Sequence, residues 1–147
     1  MTEEKRVTHL GFIEGAIDRM ANNSSTIKGW AIAIAAAFIG VGFFKKDTEA
    51  LYVWIIFGVA CAITITIWCL DSFYLYQEKL YRELYKYVST NENDLNYSMD
   101  ARKETIKNLT NKEIKYFPIL FNRVICPFYI PQILMYFALY VLPLFIK

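Results

Sequence analysis

The sequence predicts an all-α membrane protein with three transmembrane helices and a long antiparallel cytoplasmic helical hairpin. Three observations predict it. Hydrophobic residues make up 56% of the 147 and gather in three blocks. The middle block, residues 50–70, carries no charge. Helical periodicity also continues past the first two blocks into polar sequence. Such a composition excludes a disordered chain. Three cysteines are too few for a small disulfide-stapled domain. A net charge of +2 gives no footprint for nucleic acid.

Residues 1–28 read as a cytoplasmic amphipathic helix that continues into the first span. Leu10, Ile13, Ile17, Met20, Ser24 and Ile27 alternate at spacings of three and four, which is a seam for a partner helix. Glu3 and Glu4, with no early apolar core, do not read as a cleaved leader. Residues 29–44 form the first span, WAIAIAAAFIGVGFF after Gly29, bounded by Lys28 and Lys45, which can snorkel. Within it Gly29, Ala33, Ala36, Ala37 and Gly40 make a ridge of small residues. Such ridges let helices approach closely in lipid. The ridge serves packing within the subunit or between copies, and spacing does not separate the two.

Residues 45–49 are the external turn, and 50–70 are the second span. About 20 apolar residues cross a bilayer core as a helix. A buried helix of a soluble protein is the alternative. Residues 71–89 continue the second helix into the cytoplasm, with Leu80, Leu84 and Val88 on one face. The two extensions are expected to pack antiparallel. Matching levels from the membrane boundary sets Lys28 opposite Asp71, Asp18 opposite Arg82, Glu14 opposite Lys86 and Asn22 opposite Gln77. The same register brings Arg19 near Glu78. These ten are the expected polar contacts of the hairpin.

Residues 90–123 read as a cytoplasmic loop, a helix from Asp100 to Tyr116 capped by Ser98 or Asp100, and an aromatic, basic linker suited to the headgroup zone. Residues 124–147 are the third span. It is expected to start near Phe128 and to bend, with a re-entrant segment as the alternative. Prolines 127, 131 and 143 are tolerated there if neighbours satisfy the freed carbonyls. Nine basic residues between Lys79 and Arg123, against two in the first turn, put both polar stretches in the cytoplasm. The N-terminus is then cytoplasmic and the C-terminus external.

Candidate chemistry is sparse. His9, the one histidine, reads as a solvated residue near a helix start. Cys61, Cys69 and Cys126 lack metal spacing, and Cys61 and Cys69 read as small hydrophobes. No phosphate loop or nucleophile motif occurs. Asp71 reads as an interfacial acid paired with Lys28 or Arg19. The expectation is no catalytic residue, no metal and no cofactor.

Several segments carry a resemblance: His9-Leu10, Arg19-Met20-Ala21-Asn22-Asn23-Ser24, Lys28-Gly29-Trp30, Leu70-Asp71, Gln77-Glu78-Lys79-Leu80 and Arg82-Glu83-Leu84-Tyr85. With Tyr97-Ser98-Met99-Asp100 and Phe128-Tyr129, they cover most of the chain in order. The chain resembles a family of small bacterial multi-helix inner-membrane proteins. That resemblance implies fold and location and brings no activity with it. It is loosely similar to membrane-acting effectors of stress and anti-phage systems. The functional expectation is a non-enzymatic membrane protein that self-associates and alters membrane permeability or integrity. The alternative is an accessory or scaffold subunit whose hairpin docks a cytoplasmic partner. The expected partners are the bilayer, further copies of the chain and a cytoplasmic protein, with no nucleic acid.

Overall fold

The computed structural model describes residues 3–44, 49–91 and 98–145. The turn expected at 45–49, apart from Glu49, and residues 92–97 lie outside these stretches. Among the described residues every regular element is helical. Helix α1 spans Glu3–Phe44 and α2 spans Ala50–Thr90, running antiparallel. Gly29 does not interrupt α1. A mid-helix glycine costs about 1 kcal/mol against alanine, which long packed helices on both sides of it readily absorb. Both helices contain a stretch long and apolar enough to cross a membrane.

Helix α3, Lys103–Thr110, is shorter than the expected 100–116. Two local structures bound it. Asp100 Oδ1 accepts the Arg102 backbone N–H at 3.1 Å and its Oδ2 accepts Thr105 Oγ1 at 2.9 Å, a turn that holds residues 100–102 outside the helix. At the other end Asn111 takes a left-handed φ of 54° and caps the helix with its N–H on the Lys107 carbonyl.

After a single turn, α4 (Phe117–Leu120), the third apolar block forms α5 (Cys126–Tyr136), a π-helical turn (Phe137–Val141) and α6 (Leu142–Phe145). The helix starts at Cys126 rather than Phe128. The Asn122 carbonyl accepts from Ile125 N and Cys126 N, each at 3.0 Å, and Pro127 occupies the first turn, where no N–H is needed. The π turn precedes Pro143, which cannot donate to the carbonyl four residues back.

The chain divides into two compact units. The first is Met1–Ser25 with Ser72–Ile119. Its core is Ile13 of α1, Leu80, Leu84 and Val88 of α2, and Ala101 and Ile106 around α3, with Leu10, Ile17, Tyr76 and Met99 against it. Each fully buried Leu or Ile contributes about 1.5–3 kcal/mol. His9 is buried here, which corrects the solvated reading. It lies four residues before Ile13 and so shares the inward face of α1.

The second unit is Thr26–Asp71 with Leu120–Lys147. Its core is smaller in kind: Ala35 of α1, Val53 and Ala60 of α2, and Tyr136, Tyr140 and Val141 of the third block. Large apolar side chains such as Trp30, Ile32, Leu51 and Ile55 are exposed.

Candidate functional site

The second unit holds its polar groups on one seam. At one end Asp71 is 0% exposed and Lys28 Nζ lies 2.8 Å from both of its carboxylate oxygens. The lysine side chain keeps 26% of its surface, so its stem covers the acid while its head stays near the edge. Tyr129 OH also donates to Asp71 Oδ2, at 3.1 Å. Two helical turns along α2, Thr64 Oγ1 donates to Tyr136 OH at 3.5 Å. Two turns is also the distance from Tyr129 to Tyr136, so both rungs share one register. Tyr140 OH then donates to the Phe38 carbonyl. Gln132 lies between the first two rungs on the same face. It is buried, and its Oε1 has no hydrogen-bond donor among the described residues.

Trp68 closes the Asp71 end. Its indole stacks on Tyr129 at 6.0 Å and 10°, and its Nε1–H donates to the Leu120 carbonyl at 2.9 Å. At the Tyr140 end side chains of the third block lie directly on the α1 backbone. A Cβ on Gly42 would sit 2.7 Å from Leu139 Cγ and 3.3 Å from the Tyr140 ring. Only glycine fits that approach without repacking Leu139. The arrangement fixes the depth and rotation of the third block against α1 and α2. It is suited to holding helices in register.

The first unit carries exposed and half-buried ion pairs. Arg102 forks onto Asp100 at 2.7 Å, and Lys103 meets Glu113 at 2.9 Å. The Arg102 guanidinium holds the Asp100 carboxyl well below the usual carboxylate range, helped by the Arg102 N–H and Thr105. Lys103 lowers Glu113 in the same way. A groove of about 280 Å³ lies beside them, lined by Tyr76, Tyr81, Met99, Arg102 and Lys103 among others. Both rim cations are already engaged by carboxylates, so the groove offers an anion little.

Of the expected hairpin contacts, Lys28–Asp71 forms. Among the described residues Asp18 makes no ion pair with Arg82, nor Glu14 with Lys86. Arg82 instead meets Glu78 one turn back on its own helix, at 2.7 Å, and Glu83 is taken by Lys112 at 2.9 Å. Glu14, Asp18, Arg19 and Asn22 lie exposed on α1, as does Lys86 on α2, while Gln77 is half-buried. The physical reason is that the face between the helices is apolar, so the charges flank it and find local partners. Of the ridge, Gly29, Ala33, Ala36 and Ala37 are exposed and Gly40 is half-buried. A Cβ on Gly29 or Gly40 would meet nothing within 4 Å. Packing in the second unit uses Ala31, Ala35 and Gly42 instead.

The sequence reading missed Thr64, Tyr129, Gln132, Tyr136, Tyr140 and Gly42. A signal for four of them existed. Tyr129, Gln132, Tyr136 and Tyr140 repeat at three, four and four in an otherwise apolar block, which is one helical face. Comparison with protein-family models, curated proteins and solved structures finds no match for the chain.

Proposed function

We propose that the chain is a non-enzymatic integral protein of a bacterial inner membrane that self-associates through the outer ridge of α1 and alters membrane permeability. Its role is that of a stress or defence effector. In this reading α1, α2 and the third block span the bilayer. The first unit and the N-terminus are cytoplasmic and the C-terminus is external, following the Lys and Arg bias. One observation carries the reading: Gly29, Ala33, Ala36 and Ala37 remain exposed while other small residues make the packing within the unit. A small-residue ridge left open to lipid is available for a second helix.

Ala33→Leu and Ala37→Leu keep the segment apolar and able to insert, but block backbone approach. Overexpressed wild type is expected to self-associate and to admit a membrane-impermeant dye, and the ridge variants to insert and do neither. A wild-type monomer that never admits dye, under any inducing condition, ends this reading. A scaffold function has its own support. Glu14, Asp18 and Arg19 stand exposed on α1 with no ion pair among the described residues. Under that reading wild type leaves the membrane tight, and Asp18→Lys abolishes capture of a cytoplasmic partner.

A further inference from the structure

The turn that leads into α5 exposes large apolar side chains next to a cation. Phe121 is 61% exposed and Val124 is 65% exposed. Arg123 lies between them, is itself exposed, and forms no ion pair or hydrogen bond among the described residues. The turn is held in place from inside the second unit. The Leu120 carbonyl accepts the Trp68 indole N–H at 2.9 Å and Phe121 packs edge-on against that indole at 6.1 Å. The Asn122 carbonyl ties down Ile125 N and Cys126 N. The exposed side chains are therefore fixed on a structured turn.

Along the chain, the sequence from Lys115 onward carries charge of one sign. No acidic residue follows Glu113, and Arg123 is the one basic residue between Lys115 and Lys147. In the second unit Asp71, on the same helix as Trp68, is covered and paired with Lys28. A lone guanidinium flanked by exposed apolar groups matches a ligand that is anionic at one end and apolar beside it. It does not match an acidic protein surface, which would leave Phe121 and Val124 against polar groups. A guanidinium binds phosphate oxygens in fork geometry.

We infer that the Leu120–Ile125 turn is a binding site for an anionic phospholipid, with Arg123 on the phosphate and Phe121 and Val124 in the upper acyl region. This rests on the membrane reading above and adds which lipid the turn selects.

Trp68 reports on the site. In a Trp30→Phe, Trp54→Phe background it is the sole indole. The protein is reconstituted into phosphatidylcholine vesicles that contain an equal fraction of either brominated phosphatidylglycerol or brominated phosphatidylcholine. Bromine quenches only indoles its lipid approaches. The anionic lipid is expected to quench with about fivefold preference, the factor one basic side chain provides at an anionic surface. Arg123→Gln removes the preference and Arg123→Lys keeps most of it. Equal quenching by the two lipids overturns the inference while leaving the membrane reading intact. Relief of the preference by soluble glycerol phosphate also overturns it, since the site then takes a free anion. Protein recovered free of vesicles, with Trp68 unquenched by either lipid, overturns both.

Discussion

The two units fill their cores with different side chains. The first packs Ile13, Leu80, Leu84, Val88 and Ile106 together and places its ion pairs at the surface. The second packs Ala35 and Ala60 with Tyr136 and Tyr140 and buries Asp71, while both units expose large apolar side chains, Phe12 and Phe117 in the first and Trp30, Ile32 and Leu51 in the second. In water, removal of apolar area drives packing, so large aliphatic side chains go inside and charges outside. That argument accounts for the aliphatic cluster of the first unit, but not for the small residues, tyrosines and carboxylate buried in the second. Where the surroundings are themselves apolar, burying a leucine gains little. Close backbone approach and hydrogen bonds then distinguish one packing from another. A core of this second kind is what the proposed membrane reading expects of the second unit.

The Lys28–Asp71 pair gives the strongest test. Asp71 is fully covered, so Lys28→Met leaves a buried carboxylate that keeps the Tyr129 hydroxyl but has lost its counter-charge. Breaking a buried pair from one side costs about 3–5 kcal/mol. The double variant Lys28→Met, Asp71→Leu removes both charges and is expected to recover most of that loss. Denaturation in mild detergent measures both. A single variant as stable as wild type would mean that the acid is not buried, and the contrast between the units would lose its sharpest element.

Glycines sharpen the comparison at a middle scale. Gly42→Ala forces its new methyl against Leu139 and is expected to cost about 1–3 kcal/mol, as overpacking does. Gly29→Ala and Gly40→Ala enter open space and are expected to be neutral or to stabilise by up to about 1 kcal/mol through helix propensity. The same measurement ranks all three. If Gly40→Ala proves the costly one, the inward and outward faces of α1 have been exchanged.

This ranking also marks how far the sequence was legible. The long helices were readable, because hydrophobic periodicity is a local property: 1–44 and 50–89 were expected, against Glu3–Phe44 and Ala50–Thr90. The antiparallel relation and Lys28–Asp71 followed from counting levels along two straight rods. Which small residues face inward did not follow. Gly29, Ala33 and Ala37 form one ladder and Ala31 and Ala35 another, and only the position of the third block decides between them. The charge pairs failed for a related reason. Opposite signs at matched levels do not force contact when i,i+4 partners such as Glu78 and Arg82 are nearer. The tyrosine seam was readable in principle at spacings of three and four, but a search for charges passes over hydroxyls.

The smallest expected effect belongs to the first unit and concerns pH. Arg102, with its own N–H and Thr105, holds the Asp100 carboxyl below its ordinary range, and Lys103 does the same for Glu113. A depressed folded-state pKa contributes stability that is complete above the unfolded value, about 3.9 for aspartate, and fades as pH falls through the folded one. Both groups are solvent-accessible, so the contribution is modest and local. It acts where Asp100 anchors the start of α3. Hydrogen exchange of the Lys103–Thr110 amides, corrected for intrinsic rate, is expected to show α3 opening more readily as pH drops below about 4. The amides of the second unit serve as the internal reference over the same range. Asp100→Asn should flatten most of the α3 response and leave a remainder from Glu113. An α3 whose opening does not respond to pH, or responds equally in Asp100→Asn, would remove the carboxylate from the role of anchor.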